Sequence, residues 1–105
     1  MQIPENGFYY HYKHDPEGPF NNYCYEVVGI ARDTEDKSFS VLYIPLYEND
    51  WFKPADYQSR PLDMFNENVT VNGKTVPRFQ RITNPNMISK LNEIKERMYS
   101  DSLRD

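Results

Sequence analysis

Three short runs with a two-residue period set the limits on what this chain can fold into. They are FYYHYK at residues 8–13, YCYEVVGIAR at 23–32 and SFSVLYIPLY at 38–47. Aromatic and β-branched residues spaced in this way sit on the two faces of an extended chain, so each run predicts a β-strand. In the first, which begins at Gly7, Phe8, Tyr10 and Tyr12 share one face, while Tyr9, His11 and Lys13 share the other. In the second, Tyr23, Tyr25 and Val27 alternate with Cys24, Glu26 and Val28. Gly29 inside that run marks a bulge, a sharp bend or a close backbone approach. In the third, Phe39, Val41 and Tyr43 oppose Leu42, Ile44 and Leu46. Both of its faces are apolar, as in a strand of a closed barrel partly covered by another element. Pro45 cannot donate to a ladder and predicts an edge or a bend at the strand's end.

The intervening stretches carry turn chemistry. HDPEGPFNN at 14–22 reads as a loop and DTEDK at 33–37 as a charged turn. Residues 48–60 form the longest irregular stretch, polar apart from Trp51, Phe52 and Tyr57. Long loops that retain aromatics often carry function. Pro61 opens PLDMF, a single helical turn with proline first. Asn72-Gly73 predicts a type I′ hairpin between Val69–Val71 and Thr75–Ile82. The period then changes. Asn84 suits a helix cap, Pro85 its first turn, and Met87, Ile88, Leu91, Ile94 and Met98 form one apolar face.

At 105 residues a single domain is expected, and nine Tyr, six Phe and one Trp offset a hydrophobic share of 38%. Each buried aromatic removes roughly 150–250 Å² from water, so a few suffice for a core. The predicted architecture is mainly β: a small curled sheet or SH3-like barrel of about five strands. It occupies residues 1–83, with an amphipathic helix over 84–105 packed on it, in a monomer or weak homodimer.

Charge and cysteine content narrow the function classes. A net charge of −4 argues against tight non-specific nucleic-acid binding, though it leaves room for a local basic patch. Cys24 stands alone, which excludes an intrachain disulfide and a Cys-rich zinc site; inside an apolar run it reads as a small buried hydrophobe. The start, MQIPENGFYY, has no signal-peptide pattern, and no apolar stretch nears the ~20 residues of a membrane span. A cytoplasmic protein without membrane contact is expected.

Three places could hold chemistry. His11 and Lys13 share a strand face and suit an anionic or hydrogen-bonding ligand; the alternative is two solvent-facing residues. His14 lies three positions beyond His11, which in an extended chain puts the pair on opposite faces, and no metal site is expected. Arg60, beside Pro61 and ahead of Met64-Phe65, can present a planar donor or pair with Asp63 or Glu67. Residues 69–82 carry Lys74, Arg78 and Arg81 without an acidic residue, a solvated hairpin or a weak nucleic-acid surface. A hydrolytic set would use His11 as base, Asp33 or Glu35 to orient it, and Ser38, Ser40 or Cys24 as nucleophile.

Ordered motifs also point to a family. They are Tyr10–Lys13, Tyr25-Glu26-Val27-Val28-Gly29-Ile30-Ala31, Thr34-Glu35, Val41-Leu42-Tyr43 ahead of Leu46-Tyr47, Arg60-Pro61-Leu62-Asp63-Met64-Phe65, and Gly73-Lys74-Thr75-Val76-Pro77-Arg78-Phe79. Over roughly residues 7–82 the chain resembles the small, mostly bacterial domain of unknown function 1653. The resemblance implies a compact β-barrel-like domain and no established activity. This chain departs from the family pattern in its 14–22 loop, in Asp33 where the family carries histidine, and in Trp51, nine residues ahead of Arg60. The matching polar positions are His11, Lys13, Tyr43, Arg60 and Glu67, with Trp51 as a stacking lid. The expected function is a cofactor-free binding module for a polar or anionic ligand, a nucleotide or nucleic-acid end. The alternatives are a small hydrolase using His11 with a carboxylate and a protein-interaction domain.

Overall fold

The structure, a computed structural model, describes residues 2–47 and 57–99. Its elements are β1 (Gly7–His11), β2 (Cys24–Arg32), β3 (Phe39–Pro45), β4 (Gln58–Pro61), α1 (Leu62–Phe65), β5 (Asn68–Val71), β6 (Lys74–Pro77), β7 (Phe79–Arg81) and α2 (Pro85–Tyr99). Five strands form one antiparallel sheet in the order β4-β3-β2-β1-β7, and β5-β6 form a separate hairpin. Among the described residues β4 and β7 are free edges, so the sheet is open and the closed, SH3-like barrel offered as one expectation is not formed.

The two-faced apolar pattern has another cause. Each face of the sheet carries its own core. On one, Phe8, Cys24, Ile44, Leu46 and Ile82 pack with Leu91 and Tyr99 of α2. On the other, Tyr9, Tyr25, Val27, Val41, Tyr43 and Phe79 pack with Leu62 and Phe65 of α1. The alternation in β1 and β3 sorts these residues between the cores. In β2 the register shifts between Val27 and Gly29, so that Val28 is an extra residue. A one-residue insertion reverses the parity of the rest of the strand. Ile30 therefore joins Val27 on the second face, opposite Val41. Gly29 thus marks a bulge.

Helix α2 begins as its sequence predicts. Asn84 Oδ1 accepts from the Met87 amide at 3.1 Å, and Asn84 O from the Ile88 amide at 3.0 Å. Two polar links tie its far half to the sheet: Lys95 Nζ lies 3.0 Å from Glu26, and the Tyr99 hydroxyl donates to Pro45 O at 2.5 Å. No described helix is long and apolar enough to cross a membrane.

Two assignments change. Gln58 to Arg60, placed in the irregular stretch, and Pro61, read as opening the helical turn, form the edge strand β4, with Val41 opposite Arg60 and Tyr43 opposite Gln58. It lacks an apolar pattern because an edge strand is held by ladder bonds to one neighbour, and a proline fits there. The return run Thr75–Ile82 is two strands: β6 pairs with β5, and β7 crosses to pair with β1. The break falls at Arg78, whose amide donates to Glu67 O at 3.0 Å and whose carbonyl accepts from the Tyr12 amide at 2.9 Å.

The hairpin turn is as predicted, with positive φ at Asn72 (51°) and Gly73 (77°). A side chain at Gly73 meets no neighbouring atom, so its cost is conformational alone. Gly73→Ala is expected to lower stability by about 1 kcal/mol in urea denaturation. An unchanged midpoint would show that the turn does not hold this geometry in solution.

Candidate functional site

β1 ends at His11, and the chain turns at once: the His14 amide donates to His11 O at 2.8 Å. Lys13 therefore lies in a turn, and its expected place beside His11 on a strand face does not hold. Its amide donates to His11 Nδ1 at 3.2 Å, and its exposed ammonium lies 6.0 Å from the Tyr12 ring. His14 instead lies against Tyr10, with ring centroids 4.3 Å apart and the planes tilted by 32°, and its Nδ1 bonds Asn22 O. The two histidines are separated by this turn. Among the described residues no three His, Cys, Asp or Glu gather into a metal-holding group.

His11 is buried in a ring cluster. Its imidazole meets Phe79 edge-on at 5.1 Å, Tyr12 at 4.5 Å, Tyr23 in a stack at 5.8 Å and Tyr25 at 6.3 Å. The pairing of His11 with Phe79 across β1 and β7 creates this setting. Burial, helped by the neighbouring cations Arg60, Lys13 and Arg78, pushes its pKa down to about 4. The ring is neutral at pH 7. With Nδ1 accepting from an amide, its single proton sits on Nε2 and is available for donation.

Arg60 is carried to the same cluster by β4, since residues opposite one another in a ladder share a face and its partner Val41 points into the second core. The Arg60 guanidinium lies 5.4 Å over the Phe79 ring. Its Nε donates to the Tyr43 hydroxyl at 3.4 Å and its Nη1 to Met64 Sδ at 3.4 Å. No ion pair to Asp63 or Glu67 forms among the described residues. Glu67, exposed, lies 3.7 Å from Arg78 instead. Arg78 Nε is buried with no hydrogen-bond partner. A buried donor left unpaired is costly.

Tyrosines complete the cluster. The Tyr25 and Tyr47 hydroxyls are 2.6 Å apart, and burial, reinforced by that bond, pushes the Tyr25 pKa far above its ordinary range. Tyr25 also meets Tyr43 edge-on at 5.3 Å.

Of the sequence-derived site residues, His11, Tyr43 and Arg60 therefore converge around Phe79. Lys13 contributes charge from the turn, and Glu67 contributes through Arg78. Trp51 lies outside the described residues. Sequence reasoning names Arg78 only within a weak basic hairpin and passes over Phe79, Tyr23, Tyr25 and Tyr47 as members of this cluster. The Arg78-Phe79 pair, at the end of the last family motif, carries the one available signal.

The hydrolytic set does not assemble. His11 aligns with the start of β2, where its amide donates to Tyr23 O at 3.0 Å. Asp33 follows the far end of the strand, roughly 30 Å away at ~3.3 Å per residue, where its Oδ1 accepts from the Glu35 and Asp36 amides. Cys24 is buried in the opposite core, with its thiol pushed up to about 12 by burial. An orienting carboxylate would accept a hydrogen bond from Nδ1–H, whereas here Nδ1 itself accepts one from the Lys13 amide. Of the three basic residues in 69–82, Arg81 pairs with Glu5, and an exposed Glu67 lies 3.7 Å from Arg78.

The family of proteins of unknown function DUF1653 matches residues 7–81. The chain belongs to this family. The DUF1653 match takes in β1 to β7 and α1 and ends before α2. A crystal structure of a DUF1653 protein from Bordetella bronchiseptica is similar to it, with 30% identity and a TM-score of 0.61. The similarity covers 80% of this chain and 97% of that one. No curated protein matches the chain. His11, Tyr43, Arg60, Arg78 and Phe79 all lie within the DUF1653 region, whereas Leu91 and Tyr99 lie beyond it.

Proposed function

We propose that this DUF1653 chain is a binding module for a small anionic ligand, held where Arg60, Arg78, Tyr43 and His11 meet the aromatic cluster. The observation that carries the reading is a local excess of positive charge in a chain of net charge −4. Arg60, Lys13 and Arg78 all act on one buried, neutral histidine, and among the described residues only Arg78 has a carboxylate near it, 3.7 Å away. Like charges gathered at a partly dry site are unfavourable until an anion joins them. Guanidinium groups, a histidine N–H and tyrosine hydroxyls suit phosphate or carboxylate oxygens. With Arg81 paired to Glu5, the charge left at the cluster favours a small ligand over an extended nucleic acid.

Calorimetric titration with inorganic phosphate and nucleoside monophosphates at low salt tests this reading. Binding is expected, weakening as salt rises. Arg60→Ala is expected to reduce affinity at least tenfold, since hydrogen bonds to charged groups contribute about 1.5–3 kcal/mol. Its effect on unfolding should stay small, because among the described residues Arg60 has no charged partner to orphan. Absence of binding at low salt, or full binding by Arg60→Ala, would overturn the reading.

A further inference from the structure

The loop ahead of β2 is closed by Asn22, whose Oδ1 accepts from the Asp15 amide at 2.8 Å and whose Nδ2 donates to Asp15 O at 2.9 Å. The left-handed backbone position then falls on Tyr23, with φ at 51°. A bulky residue seldom adopts this conformation; glycine or asparagine would meet the backbone's need without it. Such outliers cluster at ligand sites. Tyr23 is also pinned across from the site, because its carbonyl accepts the His11 amide.

Its ring does not fill a core. Tyr23 is 37% exposed, whereas Tyr25, two residues on, is buried in the cluster. The Tyr23 ring stacks on His11 at 5.8 Å and 28°, and leans on Tyr47 at 5.6 Å and 41°. One edge of the cluster thus ends in an open aromatic surface, while the Arg60 guanidinium lies over the Phe79 ring that His11 also meets. Planar π-faces recruit planar rings, and stacking on an aromatic side chain strengthens binding of a base by roughly fivefold or more.

We propose that Tyr23, backed by His11 and Tyr47, is a stacking shelf for the planar ring of a phosphate-bearing heteroaromatic ligand of the nucleoside monophosphate class. This rests on the anion-binding reading above and adds to it the part of the ligand that is not charged. The strained tyrosine is retained for its ring.

The test compares adenosine monophosphate with ribose 5-phosphate, which carries the phosphate without the base, on the full chain at low salt. The monophosphate is expected to bind at least fivefold more tightly. Tyr23→Asn, which suits the left-handed backbone and removes the ring, should erase that preference while leaving ribose 5-phosphate binding intact. Tyr23→Phe should retain it. The wild-type Tyr23 ring protons should also shift in the NMR spectrum with the monophosphate and stay still with ribose 5-phosphate, a readout independent of how the variants fold. Equal affinity of the two probes, or a preference that survives Tyr23→Asn, would overturn the shelf and leave the anion site standing. Failure of both probes and of inorganic phosphate to bind would remove both.

Discussion

Leu91→Ala is expected to lower the free energy of unfolding by about 2–5 kcal/mol, the range for removing a fully buried leucine and leaving a cavity. Leu91 has no exposed surface and packs among Phe8, Cys24, Ile44, Leu46, Ile82 and Tyr99. Apart from Tyr99 it is the only buried residue that α2 supplies to this face. The helix lies beyond the family match, so its removal from the sheet would expose a face built largely from β1, β2 and β3. Lys95→Ala, which leaves the largely buried Glu26 carboxylate without its partner, should cost less, about 1–3 kcal/mol. Urea denaturation of the two variants checks the order. A loss below about 1 kcal/mol for Leu91→Ala would mean that the helix is not part of the cooperative unit.

The contrast between helix and sheet shows how much is legible in the sequence. The α2 face, the three long strands and the Asn72-Gly73 turn are local patterns, each written within a dozen residues. The open sheet is not, because a strand apolar on both sides fits a barrel wall and a layer between two cores equally well. Here α1 and α2 supply the second and third layers. β4 carries no pattern of its own; its existence depends on β3. For the same reason the path of Arg60 into the second core cannot be read from Gln58-Ser59-Arg60-Pro61.

The site is half legible. Motif order points to His11, Tyr43 and Arg60, but what unites them is Phe79, delivered by the crossing of β7 to β1 after Pro77. That crossing depends on Arg78 bonding both Glu67 and Tyr12 through its backbone, contacts distant in sequence. The sequence misplaces Lys13 because a two-residue period continues past His11 although the strand does not. The turn that ends β1 is fixed by the His11 carbonyl and imidazole themselves.

His11 also gives the pH dependence that most directly probes the site. Its pKa in the folded protein, about 4, lies below the ordinary histidine value of 6.5. The unfolded chain therefore binds the proton first as pH falls. The stability that this buried neutral ring contributes is fully present above about pH 6.5. It declines as pH falls toward 4, and below that both states are protonated and the loss stops. The expected loss over this window is about 1–3 kcal/mol, set by 1.36 kcal/mol per pKa unit and reduced for partial solvent screening. His11→Phe keeps a ring against Phe79 and removes the titration. Carboxylates titrate in both proteins, so the difference between their stability–pH curves isolates His11. Equal slopes between pH 6.5 and 4 would show that the imidazole is not held neutral by its surroundings. An anion bound beside Arg60 and Arg78 would favour the protonated ring, so saturating phosphate should narrow the difference between the two curves. Phosphate that leaves that difference unchanged would place the anion away from His11.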